Sequence, residues 1–177
     1  MKLFSEKYSG KKPEGAKVVK NYSFALQGPV VEETSLELPT HRGVYFGFKF
    51  DKKNPLHFTK LIYVGRAIKD YNLRKRIREH YTQKDLKYRE TGMVVDMTNV
   101  AFQYLDLEKF TDEQISDIEY AFIYKYQPSA NSDGITHYIG DEAPINIKIS
   151  GFKFADDLDL EKSFLITEKD KEESNDE

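Results

Sequence analysis

The chain reads as an α/β protein of the α+β type: a small central three-stranded antiparallel sheet flanked by helices, with N- and C-terminal extensions. Three observations predict this. GVYFGFKF, Gly43 to Phe50, alternates with period two, as a strand does. A second apolar run, KLIYV at 60–64, follows a turn-rich stretch and is expected to pair with the first as an antiparallel hairpin. Two segments with helical spacing begin at capping residues, near Asn72 and at Thr111.

Residues 1 to about 20 are lysine-rich, carry Gly10, Pro13 and Gly15, and have no apolar period, which predicts a mobile arm. Residues 22 to 40 mix short apolar pieces with Gly28, Pro29 and Pro39, the composition of one or two edge strands or an irregular wrap. In the first core strand Val44, Phe46, Phe48 and Phe50 share one face. Tyr45, Gly47 and Lys49 share the other, so the strand is expected to be half-buried with Tyr45 on its polar side. In the second strand Tyr63 opposes Ile62 and Val64, which places it beside Tyr45 across the hairpin.

Gly65 ends that strand, and a helix follows with Asn72 as N-cap and Leu73 and Ile77 as an apolar pair. Arg76 and His80, four residues apart, project from one side of it. After a turn-like stretch to Gly92, Asn99 to Leu107 alternates Val100, Phe102 and Tyr104 against Ala101, Gln103 and Leu105, a third strand. Thr111-Asp-Glu-Gln114 is a capping box. It opens a helix carrying Ile115, Ile118, Phe122 and Tyr126 until Pro128 stops the pattern. Glu119 lies beside that apolar stripe, where a carboxylate must lose hydration or find a cation. A strand at Ile145 to Ile149 and the apolar GFKF at 151–154 precede an acidic end.

These elements divide the chain into an arm with edge strands at 1–40, one domain at 41–155 with its core at 42–132, and an acidic tail at 156–177 expected to be disordered. A length of 177 residues, 39% hydrophobic and 14% aromatic, suffices for one core. With no cysteine, disulfides, thiol nucleophiles and thiolate zinc sites are excluded. No apolar run is long enough to span a membrane and the first residues lack a signal-peptide core, so a cytoplasmic protein without a membrane partner is expected. The net charge of −3 hides a strong asymmetry. Residues 60–89 carry ten Lys and Arg against Asp70, Glu79 and Asp85, whereas 155–177 carry ten acids against three lysines. The tail is read as a solubilising end, with the alternative that it folds over the basic helix as a DNA mimic.

Two strand tyrosines, a helix arginine with its histidine, and one glutamate on an apolar helix suit the cleavage of a phosphodiester. That chemistry needs a cation on the pentavalent phosphate, a metal or acid at the leaving oxygen, and a base for water. Arg76, a metal on Glu119 and a tyrosine would supply these. Taken singly, each residue has an ordinary structural explanation, and His41, His57 and His137 show no ligand spacing.

Taken in order, the same residues resemble the GIY-YIG nuclease family. Gly43-Val44-Tyr45 resembles its GIY element, Tyr63-Val64-Gly65 its YIG, and Leu73-x-x-Arg76 with His80 its arginine helix. Glu119 followed by Pro128-x-x-Asn131 resembles its metal-glutamate helix. The 18 residues from Tyr45 to Tyr63 exceed the family's usual hairpin, and Arg66 stands where many members carry lysine. A further Tyr138-Ile139-Gly140 has no arginine helix behind it.

The resemblance implies a DNA endonuclease leaving 5′-phosphate and 3′-hydroxyl ends, with Tyr45, Tyr63, Arg76, His80 and Glu119 as catalytic residues. One divalent ion, Mg²⁺ or Mn²⁺, would sit on Glu119, and Tyr45 or Tyr63 would be the base. Arg66, Lys69, Arg74, Lys75, Arg78 and Asn131 are assigned to substrate binding. A stand-alone enzyme of restriction, phage-defence or mobile-element type is expected, with a homodimer or protein partner if both strands are cut. The alternatives are a non-catalytic nucleic-acid-binding module on the same scaffold and an RNA-directed nuclease, since nothing in the sequence reads a 2′-hydroxyl.

Overall fold

In the computed structural model, which describes residues 18–151 and 161–172, alternation and capping account for most of the local structure. In chain order the strands and α-helices are β1 (Lys20–Ala25), β2 (Gln27–Val30), β3 (Gly43–Asp51), β4 (Asn54–Ala67), α1 (Leu73–Gln83), β5 (Val100–Asp106), α2 (Asp112–Tyr126), β6 (Ile145–Ser150) and β7 (Ser163–Ile166). The expected arm at 1–17, residues 152–154 of GFKF, and the tail residues 156–160 and 173–177 lie outside the described residues.

The α+β class holds, but the sheet is not a single three-stranded one. A four-stranded antiparallel sheet runs in the order β2-β5-β3-β4, and a separate three-stranded sheet runs β1-β6-β7. In the smaller sheet β1 pairs parallel to β6, while β7 pairs antiparallel to it. The parallel pair joins Lys20 to Ile145 across most of the chain, a contact that local pattern cannot foretell. Both N-terminal strands do lie at sheet edges, as their proline and glycine content suggested. Strand β4 also starts earlier than expected, because Phe58 stacks on Phe48 at 5.4 Å and extends the hairpin outward.

The four-stranded sheet is covered on both faces. Val44, Phe46 and Phe48 pack with Ile115, Ile118 and Phe122 of α2 and with Ile145, Ile147 and Phe164 of the smaller sheet. Tyr45, Ile62 and Phe102 pack on the opposite face with Leu73, Ile77 and Tyr81 of α1. The half-buried β3 expected from its alternation is therefore corrected: Tyr45 is fully buried, because α1 closes over the face that reads as polar. Alternation in the same strand still sorts residues correctly between the two layers.

Helix ends follow the sequence signals. The Asn72 side chain accepts from Lys75 N, and Thr111 and Gln114 form the reciprocal capping box of α2. Each helix closes on a left-handed residue, Lys84 for α1 and Gln127 for α2. The acidic end is not wholly outside the fold. β7 places Phe164 against Phe122 and Tyr126, so this part of the tail packs on α2 and β6 rather than over α1. Among the described residues no helix is long and apolar enough to cross a membrane.

Candidate active site

The β3–β4 hairpin, α1 and α2 meet around a cleft of about 760 Å³. The hairpin contributes the two tyrosines. Tyr45 pairs with Gly65 and Tyr63 with Gly47, so the tyrosines are diagonal neighbours on one face, with ring centroids 6.1 Å apart. Gly65 is required by this arrangement. A Cβ there would stand 2.6 Å from the Tyr45 hydroxyl and 2.7 Å from a Tyr63 ring carbon, closer than any side chain tolerates.

The apolar stripe of α1 turns Arg76 and His80 toward the hairpin. The ring of His80 lies 5.6 Å from that of Tyr45 and 5.2 Å from that of Tyr63. Tyr45 Oη is 2.9 Å from His80 Nε2, and His80 Nδ1 is 2.6 Å from Asp85 Oδ1. Burial disfavours the imidazolium and lowers the His80 pKa, against the pull of Asp85. Arg76 donates to Glu79 Oε2 at 3.1 Å and stacks over Tyr71 at 5.6 Å.

Glu119 comes from α2 and is 7% exposed. Its carboxylate accepts from Arg66 Nη1, so the cation that its apolar setting demands is supplied by β4. Burial nevertheless pushes its pKa up to about 7, with Arg66 and then Arg76 opposing the shift. Arg66 in turn lies 4.9 Å over the Tyr120 ring. Burial raises both cleft tyrosines: Tyr45 well above its ordinary range, and Tyr63 with further help from the Glu119 charge.

Of the residues singled out from sequence, Tyr45, Tyr63, Arg66, Lys69, Arg76, His80, Glu119 and Asn131 line this one cleft. Arg74, Lys75 and Arg78 do not. They lie on the face of α1 turned from the stripe at Leu73, Ile77 and His80: Arg74 Nε donates to Leu38 O at 2.7 Å, Lys75 sits over Tyr71, and Arg78 is exposed. Asn131 has a scaffold position. Its Oδ1 accepts from Val64 N at 2.9 Å and its Nδ2 donates to Val64 O at 2.8 Å, so its amide braces the strand between the tyrosine and the glycine.

Asp85, Tyr88 and Tyr120 also line the cleft, although no motif points to them. Asp85 follows His80 by five residues, and the turn that returns it to the ring is made by Lys84 at φ 52°, where a glycine would have advertised the turn. The cleft carries Arg66, Lys69, Arg76, Lys87 and Arg89 against Asp70, Asp85, Glu119 and Asp133, so its charge is far more balanced than the run 60–89 suggests.

No family model matches the chain, and no curated protein or solved structure matches it. The site's chemistry is therefore read from its own geometry.

Proposed function

We propose that the chain is a metal-dependent DNA endonuclease that hydrolyses phosphodiesters to 5′-phosphate and 3′-hydroxyl ends. One observation carries the reading: Tyr45, Tyr63, Arg76, His80 and Glu119, from two strands and two helices, line a single cleft. The two strands and the two helices that carry them span 74 positions, from Tyr45 to Glu119, and have no local reason to bring this chemistry together. The ordered resemblance to the GIY-YIG nucleases supports the same assignment.

A divalent ion suits this donor set in one way. Among the described residues no group of three His, Asp or Glu side chains could cage an ion. Mg²⁺ and Mn²⁺, however, are hard ions, and Mg²⁺ commonly takes one or two carboxylates and completes its shell with water and substrate phosphate. Glu119, a buried oxygen donor at the cleft wall, would hold it. When bound, such an ion polarises the phosphoryl group and stabilises the leaving oxygen.

The chain's own residues do the rest. Arg76 is partly exposed and keeps its charge, so its guanidinium can bind the phosphate as negative charge develops. Arg66 pairs with Glu119 and faces the same cleft. Tyr63 is half-buried whereas Tyr45 has no exposed surface, which favours Tyr63 as the phenol that meets water.

A second reading, a non-catalytic nucleic-acid-binding module, draws on the Arg66–Glu119 pair, which already engages the carboxylate. Plasmid nicking with Mg²⁺ or Mn²⁺ separates the two. Glu119→Ala and Arg76→Ala should each lower cleavage by roughly 10²-fold or more while circular dichroism shows the fold intact. Unimpaired cutting by both variants rejects the site, and binding without any cutting by the wild-type chain favours the module. Parallel single-stranded DNA and RNA substrates identify the nucleic acid.

A further inference from the structure

The cleft tyrosines raise a question of proton supply. Each phenol rests protonated, because burial raises both, so neither by itself takes a proton from water near neutral pH. Behind them stands an ordered series of side chains. The Tyr63 and Tyr45 rings are neighbours at 6.1 Å, Tyr45 Oη lies 2.9 Å from His80 Nε2, and His80 Nδ1 lies 2.6 Å from Asp85 Oδ1.

The direction of these bonds follows from the end of the series. A carboxylate only accepts, so Asp85 requires the proton on His80 Nδ1. In the neutral ring Nε2 then carries the lone pair, and Tyr45 donates to it. Arg76 and Glu79 of α1, Tyr45 and Tyr63 of the hairpin and Phe102 of β5 also face His80, but Asp85 is the group bonded to Nδ1. Asp85 thus chooses the tautomer, as a partner on the far nitrogen does wherever an imidazole has a role.

We propose that Asp85 is a positioning residue that fixes His80 as the terminal acceptor of a proton relay through Tyr45. Its use in hydrolysis rests on the nuclease reading. As water oxygen bonds to phosphorus, the pair of phenols takes one water proton while the Tyr45 proton passes to His80 Nε2. Both phenols end neutral, and the imidazolium holds one proton beside the Asp85 carboxylate. The bond from phosphorus to the 3′ oxygen breaks, its electron pair leaves with that oxygen, and the oxygen is protonated from solvent. His80 itself is 1% exposed while the Asp85 side chain is 35% exposed, so the proton returns to solvent on the Asp85 side.

The test uses the full chain with Asp85→Ala and Asp85→Glu. Three quantities are measured: the His80 tautomer from imidazole ¹⁵N shifts without metal, affinity for a DNA duplex in Ca²⁺, and cleavage in Mg²⁺. In the wild type His80 should be the Nδ1–H tautomer, and Asp85→Ala should lose that preference. Cleavage by Asp85→Ala should fall roughly 10²-fold or more with DNA affinity within about twofold, and Asp85→Glu should recover to within about tenfold of wild type. Wild-type His80 in the Nε2–H form, or Asp85→Ala cutting within about threefold of wild type, overturns the relay. A wild-type chain that cuts nothing overturns the nuclease reading instead, and the tautomer measurement then still decides whether Asp85 sets His80.

Discussion

At the scale of single residues, Glu119 shows what the site costs the fold. A carboxylate whose pKa is raised on folding favours the native state fully only below its unfolded value, and that contribution is lost as pH rises through the folded value. For Glu119 the window runs from about 4.3 to about 7. Glu119→Gln, compared with wild type in the absence of divalent metal, should therefore show little difference at pH 4. By pH 8 the variant should be more stable by up to about 3 kcal/mol in urea denaturation. His80 has the opposite sign: its lowered pKa makes the native state lose stability as pH falls below about 6.5. Because both proteins keep His80, the difference between them isolates Glu119. A pH-independent difference would show that Arg66 neutralises Glu119 completely.

At the scale of elements, the short segment after α2 is the less obvious support of the site. Ala130 N donates to Ile62 O at 2.8 Å and Asn131 bonds both backbone groups of Val64, so residues 130–131 act as one more rung on the edge of β4. Asn131→Ala should cost about 1–3 kcal/mol, the penalty for leaving buried backbone groups unpaired, measured by urea denaturation. If Asn131 instead binds substrate, DNA affinity would fall with stability unchanged. At this scale the sequence was most legible where one residue type has a local job. The N-caps Asn72 and Thr111, the stop near Pro128 and the alternation of β3 and β5 all appear where the pattern put them. Strand β4 is longer than its composition predicts, because Asn54 and Pro55 read as turn residues while the hairpin register continues to the pair Asp51 and Asn54.

At the scale of the whole molecule, the acidic end changes meaning. Phe164 and Ile166 are buried in the same core as Phe46 and Phe122, so a segment that composition assigns to a solvated tail helps to close the second layer. Phe164→Ala should lower stability by about 3 kcal/mol, read from thermal or urea unfolding, whereas a merely solubilising tail would register no change. The sequence by itself determined the hairpin and both helices and singled out Tyr45, Tyr63, Arg76, His80 and Glu119, which line one cleft, because periodicity, capping and the ordered motif are local properties that a linear string preserves. Only the tertiary structure decided which cations face the cleft, that Arg66 pairs with Glu119, that Asp85 holds His80, and that β1 pairs with β6. Those are meetings of distant segments, and a carboxylate or a cation looks the same along the chain whichever partner burial eventually forces on it.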